Sequence, residues 1–301
     1  MLDGIMPAMV TPFDERGEID LAATERVVEH CIEAGVDGLS ILGSTGEFPH
    51  LDPAERRNFA ERVVGMVRGR VRVVVGVGST STRESAELAR HAADSGADGT
   101  LCVPPFYFKL GEKALYEHFA RVARSAEIPM LVYNFPLMTG VGLSARMISR
   151  LSTDIPNVEG LKDTVTEHSH TLDVLGTIKP SNPDFSVLVG FEEQILPNLL
   201  AGGDGAISGL ANVAPELFVG LVRSFREGDL TGAADHHRRV LTLLGIGGLS
   251  EPVVGAIKSA MQRTGVGISP AVRGPALPLD PDSYDELDGI LESAGLRVTG
   301  G

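Results

Sequence analysis

Cysteine is nearly missing from this 301-residue chain. Cys31 and Cys102 are all it has, too few for a disulfide framework. Both lie in apolar stretches and read as small core residues of a protein kept in a reducing cytoplasm. Positive charge is also in short supply: 26 Lys and Arg stand against 40 Asp and Glu, a formal net charge of -14. That balance excludes nucleic acid and anionic membrane as partners, since both select basic patches. An anionic substrate must therefore be drawn in by a local site, not by the field of the whole molecule. No apolar stretch approaches the length of a membrane span. Residues 1–7 lack the basic region and long apolar core of a signal peptide. Metal-ligand spacing is missing too. His168, His170, His236 and His237 lie in helical patterns without a matching ligand cluster, so they read as solvated helix faces, and no metal or other cofactor is expected.

Apolar residues make up 43% and charged residues 22%, an ordinary globular composition, and short β-rich runs alternate with helical patterns. The strand candidates are 5–10, 38–42, 71–77, 99–103, 130–133, 158–162, 185–189 and 205–208. The intervening helical patterns are 21–34, 53–68, 82–95, 112–126, 144–151, 167–178, 192–201 and 214–226. Asp52 and Pro53 mark a helix start; Gly35 and Gly96 mark helix ends. Eight strands, each followed by a helix, give the α/β class and the repeat of a (β/α)8 TIM barrel. A doubly wound sheet is the alternative, but the first strand ends in Thr11-Pro12-Phe13 without a glycine-rich turn. Gly76-Val77-Gly78-Ser79 likewise lacks the third glycine and acidic partner of a dinucleotide fingerprint. The expected organisation is a barrel over 1–226 and, over 227–301, about three additional C-terminal helices packed on it.

In such a barrel the site lies at the carboxyl ends of the strands. Lys162 closes the sixth run, where its ammonium is costly to desolvate. Tyr133 closes the fifth, one βα unit of roughly thirty residues earlier. A nucleophilic amine beside a phenol points to Schiff-base chemistry on a keto substrate, with the tyrosine moving protons. The plainer alternatives are a surface lysine paired with Asp163 or Glu159 and a core tyrosine with its hydroxyl satisfied. Gly43-Ser44-Thr45-Gly46-Glu47 follows the second strand; Ser44 and Thr45 could extend the relay and hold a carboxylate on their backbone amides, or the segment is a tight turn. Glu192-Glu193 reads as a helix-start pair or as a hydroxyl-binding group. Asp163 reads as a cap or orienting group.

These residues carry a family resemblance. Gly43-Ser44-Thr45-Gly46-Glu47, Tyr133-Asn134-Phe135-Pro136 and Gly160-Leu161-Lys162-Asp163-Thr164 resemble the three signatures of the dihydrodipicolinate synthase/N-acetylneuraminate lyase superfamily, in order over nearly the whole chain. The resemblance implies a (β/α)8 barrel with extra C-terminal helices, a homo-oligomer (a dimer, or a tetramer built as a dimer of dimers), and metal-independent action on pyruvate through a lysine Schiff base. It assigns Lys162 to the Schiff base, Tyr133 to proton transfer, and Ser44 and Thr45 to the pyruvate carboxylate and the relay. Gly190 and Ile207 would line the pyruvyl pocket. Tyr107 would reach into a neighbouring subunit's site, and Phe106 stands where a second tyrosine is common.

One departure bears on substrate. The synthases place an arginine at the position of Met138 to hold the second substrate's carboxylate, and methionine makes no bidentate carboxylate contact. Losing such a pair would cost roughly 2–5 kcal/mol of binding. Lys162-Asp163-Thr164-Val165 and His170-Thr171-Leu172-Asp173 look more like 2-keto-3-deoxygluconate aldolases. Thr164 and Gly190-Phe191-Glu192-Glu193 also resemble sialate lyases, though Gly209 replaces their substrate-binding serine. The expectation is a cytoplasmic lyase acting on pyruvate plus an aldehyde, or on the corresponding 2-keto-3-deoxy acid, with Met138, Thr164 and Glu192 among the substrate-binding residues. Its rivals are 4-hydroxy-tetrahydrodipicolinate synthase, a hydro-lyase on the same scaffold and a non-catalytic keto-acid sensor.

Overall fold

Strands buried on both faces read as short continuous apolar runs, and that pattern governs the sheet. A computed structural model describes residues 2–299. Met1, which opens the amino-terminal stretch and the expected barrel segment, and Gly300 and Gly301, which close the expected helical extension, lie outside the described residues. The strands are β1 (Gly4–Pro7), β2 (Gly38–Ile41), β3 (Arg72–Gly76), β4 (Gly99–Cys102), β5 (Met130–Asn134), β6 (Val158–Asp163), β7 (Ser186–Val189) and β8 (Gly205–Ser208). They form one sheet in the order β1-β8-β7-β6-β5-β4-β3-β2, and a parallel bridge joins Ala8 to Ser40 just beyond β1. With a helix after each strand, this is a (β/α)8 TIM barrel with additional C-terminal helices.

The helices are α1 (Leu21–Glu33), α2 (Pro53–Val67), α3 (Thr82–Asp94), α4 (Glu112–Ala123), α5 (Pro136–Thr139), α6 (Ala145–Asp154), α7 (His168–Ile178), α8 (Ile195–Leu200) and α9 (Pro215–Arg226), then α10 (Leu230–Leu243), α11 (Val254–Arg263) and α12 (Tyr284–Ser293). Local chemistry sets many of the ends. Asp52 and Glu55 close a reciprocal capping box ahead of Pro53, satisfying orphan amides of the first turn. Gly96, at φ +84, takes the left-handed conformation that ends α3.

Proline explains two departures from the sequence reading. β1 stops at Pro7 and does not run to residue 10, since Pro7 has no N–H for the ladder. The helix expected over 192–201 is a 3-10 turn, Glu192–Gln194, followed by α8. Pro197 is tolerated only in a first helical turn, so the α-helix starts at Ile195. α5 was not expected because four residues are too few to show a helical period.

The chain divides into two compact units. One comprises Arg72–Ile207 with the segment ending at Gly4; its core includes Val74, Leu101, Leu131, Val132, Leu161 and Leu188. The other comprises Ile5–Val71 with the segment beginning at Ser208; its core includes Phe13, Phe59, Phe218, Ile257 and Leu287. Within the second, Asn212 donates to the Ala8 carbonyl at 2.8 Å and accepts from Val10 N–H at 3.1 Å, tying β1 to the chain that follows β8.

Candidate active site

In the first unit, β5 and β6 run parallel with Tyr133 opposite Lys162 and Asn134 opposite Asp163. Side chains alternate along a strand, so the tyrosine and lysine share one face and the amide and carboxylate the other. Lys162 is 5% exposed and Tyr133 3%. The Lys162 Nζ stands 4.4 Å from the Tyr133 ring centroid, within cation–π range. The Tyr133 ring stacks on Phe135 at 5.7 Å, and Phe135 meets Phe191 edge-to-face at 6.2 Å. The amine therefore sits against an aromatic wall.

Asp163 is occupied on the opposite face. Its Oδ1 accepts from Asn134 Nδ2 at 2.8 Å, and its Oδ2 accepts from Thr171 Oγ1 at 2.8 Å and lies 2.9 Å from His170 Nδ1. This is an orienting group, and it does not make Lys162 a paired surface lysine. His170 is not on a solvated face as expected. Its ring is half-buried, with Nε2 2.7 Å from the Leu143 carbonyl, and the carboxylate of Asp163 raises its pKa above the ordinary histidine value. His236 also departs from that expectation, because its ring packs against Gly220 so closely that a Cβ there would lie 2.4 Å from Cε1. His168 Nδ1 lies 3.4 Å from Gln194 Oε1. A helical period alone does not say which side a neighbouring element covers.

Beyond β6, Thr164 is buried, and its hydroxyl has no hydrogen-bond partner among the described residues. Gly190 follows β7 and donates its N–H to the Asp163 carbonyl at 2.9 Å. A Cβ on Gly190 would lie 1.8 Å from Thr164 Oγ1, so only glycine fits beside that hydroxyl. Glu192 is buried in its 3-10 turn while Glu193 is exposed. Ile207 is fully buried in β8. Met138, on α5, is 63% exposed and Tyr107 is 86% exposed. Tyr107 adopts φ +83 in the chain following β4 and meets Phe108 edge-to-face at 5.2 Å. The structure thus brings together Tyr133 with Lys162, and Thr164 with Gly190; Met138 and Tyr107 present open side chains.

In the second unit, Leu42 at φ +57 and Glu47 at φ +55 bracket Gly43-Ser44-Thr45-Gly46. Two non-glycine residues in the left-handed region within six positions mark a strained segment. Ser44 is exposed and Thr45 half-buried. Thr11 Oγ1 donates to the Gly46 carbonyl at 2.7 Å. A Cβ at Gly209 would come within 3.2 Å of Thr45 Oγ1.

Glu47, at the end of this segment, is held by a buried ion-pair network that sequence reasoning missed. Glu47 accepts from Lys258 Nζ at 2.5 Å and from Arg273 N–H at 3.0 Å. Lys258, on α11, is fully buried; its Nζ also donates to the Ala271 carbonyl at 2.9 Å and lies 4.3 Å from the Phe13 ring centroid. Burial pushes its pKa down to about 8, with Glu47 opposing the shift. The one available cue was a charge inside the apolar run Ala256-Ile257-Lys258-Ser259-Ala260-Met261.

Among the described residues, no group of three or more His, Cys, Asp or Glu side chains is placed to hold a metal ion, and no helix is long and apolar enough to cross a membrane. Cys31 and Cys102 are both buried, and neither is in a disulfide among the described residues.

Comparison with known proteins places these features in a family. The model of the dihydrodipicolinate synthetase family matches residues 1–294. YjhH of Escherichia coli (strain K12), a probable 2-dehydro-3-deoxy-D-pentonate aldolase, is 39% identical over 293 residues, 97% of either chain. The 4-hydroxy-tetrahydrodipicolinate synthase of Oleidesulfovibrio alaskensis is 36% identical over 293 residues, 97% of this chain and 98% of that one. The crystal structure of YagE in complex with pyruvate, a prophage protein of the dihydrodipicolinic acid synthase family from E. coli K12, superposes with a TM-score of 0.97 at 38% identity, covering 98% of this chain and 99% of that one. This chain belongs to the dihydrodipicolinate synthetase family.

Proposed function

We propose that the protein is a class I aldolase, a metal-independent lyase that breaks or forms the C–C bond of a 2-keto-3-deoxy sugar acid through a Schiff base on Lys162. The observation that carries this reading is the buried Lys162 amine held 4.4 Å from the Tyr133 ring centroid. In the cleavage direction the neutral amine attacks the keto carbon, and loss of water from the carbinolamine leaves an iminium. A base removes the proton of the C4 hydroxyl, the C3–C4 electron pair moves into the iminium, and an aldehyde departs. Protonation of the resulting enamine at C3 and hydrolysis release pyruvate and restore the amine. Tyr133 is the proton carrier in these steps, with Ser44 and Thr45 holding the carboxylate and extending the relay.

Thr164 and Gly190 support a hydroxylated substrate. A buried hydroxyl lacking a protein partner is costly, and a substrate hydroxyl would satisfy it. Glu192 belongs with them as a hydroxyl-binding group, and Ile207 lines the pyruvyl end. Met138, where the synthases carry arginine, argues against an acidic aldehyde. Sugar-acid substrates also accord with the aldolase name of YjhH, and pyruvate with the ligand of YagE. The same reading makes the protein a cytoplasmic homo-oligomer, a dimer or tetramer, in which the exposed Tyr107 meets a neighbouring subunit.

The test is pyruvate release from 2-keto-3-deoxy-gluconate and 2-keto-3-deoxy-pentonate, followed by reduction to lactate, alongside condensation of pyruvate with aspartate semialdehyde. Cleavage of a deoxy sugar acid in preference to the condensation is expected. Efficient condensation without cleavage would make the protein a synthase, and inactivity on all three would refute the lyase reading.

A further inference from the structure

The surroundings of His170 are specific about its protonation. Nε2 lies 2.7 Å from the Leu143 carbonyl, which only accepts, so this nitrogen carries a hydrogen. Nδ1 lies 2.9 Å from Asp163 Oδ2. A neutral ring would aim its Nδ1 lone pair at a carboxylate oxygen; the doubly protonated ring makes both bonds. The same carboxylate accepts from Asn134, the last residue of β5, and Asn134 Oδ1 accepts from Leu143 N–H at 3.0 Å. One ring therefore closes a circuit through the ends of β5 and β6 and the segment before α6. Asn134 and Asp163 are the immediate successors of Tyr133 and Lys162 on the paired strands.

We propose, resting on the Schiff-base reading above, that His170 is a positioning residue: as an imidazolium it locks the ends of β5 and β6 through Asp163, so that the Tyr133 phenol and the Lys162 amine stay apposed. It touches neither reacting atom. Its effect is to brace, from the side-chain layer, two strand ends already joined by their backbone ladder, by Thr164 N–H donating to the Asn134 carbonyl at 2.9 Å and by the Asn134–Asp163 contact. The charged groups acting on the ring are Asp163 of β6 and Asp173 of its own helix. Of the helix packed against α7, α6 supplies Arg146, Arg150 and Asp154, with Arg150 paired to Asp154; β7, also packed on α7, supplies no charged side chain. Asp163 raises the pKa of the ring, so the clamp is fully present below the ordinary histidine value of about 6.5 and is lost as pH rises through the higher folded value. An alkaline limb in activity follows.

The full-length protein, labelled with 15N-histidine, is titrated by NMR, with His170→Asn identifying the resonance. Formation of the pyruvate adduct on Lys162 and turnover of the deoxy sugar acid are followed over the same pH range. Both ring nitrogens should be protonated at about pH 6.5, and the wild-type rate should fall with the midpoint of the NMR titration. His170→Asn should lose about tenfold in kcat with a much smaller change in KM, and should lack that alkaline step. A single neutral tautomer in the acidic range, or a wild-type rate indifferent to the His170 titration, overturns the proposal. Should His170→Asn fail to fold, His170→Gln identifies the resonance instead, and the comparison of rate with titration is made on the wild type. Absence of any pyruvate adduct in the wild type would sink the lyase reading and the positioning role with it, whereas an adduct with a flat response would sink the positioning role alone.

Discussion

Replacing Lys258 by methionine tests the buried network behind the Ser44-Thr45 turn. The substitution keeps the volume of the side chain and removes its charge. Glu47, 2% exposed, would keep Arg273 N–H and the His50 ring, 3.3 Å away, but lose the ammonium 2.5 Å from it. Breaking one side of a buried pair leaves an uncompensated charge and costs about 3–5 kcal/mol. The double variant Lys258→Met/Glu47→Gln removes both charges and should recover more than half of that loss. A pH signature separates this from simple repacking. The Lys258 pKa is depressed from 10.5 to about 8, so between those values the unfolded chain holds a proton that the native state has released. Stability due to this group therefore rises with pH across that window, by roughly 3 kcal/mol in all. Urea denaturation of wild type and Lys258→Met at several pH values reads the difference directly. The gap between them should widen from about pH 8 to pH 10. A Lys258→Met protein within about 1 kcal/mol of wild type, or a gap unchanged across the window, would refute the reasoning.

Other substitutions probe the lysine–tyrosine pair and its neighbour. Tyr133→Phe keeps the ring beside the amine but removes the proton carrier; turnover should fall about 100-fold or more while the borohydride-trapped pyruvate adduct on Lys162 persists. Equal loss of adduct and turnover would make the tyrosine a packing residue. Gly190→Ala forces a methyl to within 1.8 Å of Thr164 Oγ1 and should destabilise the protein by about 1–3 kcal/mol and raise KM for the deoxy sugar acid. An unchanged urea midpoint and KM would show that Thr164 moves aside at little cost.

Much of the barrel could be read from the chain because buried parallel strands are continuous apolar runs, each followed by a helical pattern. The errors fall where one residue overrules the pattern. Pro7 cut β1 short, and Pro197 set the start of α8. The Tyr133–Lys162 pair was legible because each stands at the end of an apolar run, one residue short of the observed strand end and one βα unit apart, and that position fixes where a side chain emerges. Thr164, Gly190 and Ile207 were named through family resemblance, since small and apolar residues carry no local signal. His170 was misread because the carboxylate that holds it lies seven positions earlier, across a change from strand to helix. Lys258 was invisible for a stronger reason: Glu47 is 211 positions away, and no local period reports so distant a partner.

The central claim is covalent and can be read at one atom. Incubation with pyruvate and sodium borohydride, followed by peptide mapping, should place a single reduced pyruvyl group on the Lys162 Nζ with parallel loss of activity. Modification at Lys258 or any other lysine, or full activity after reduction, would contradict it.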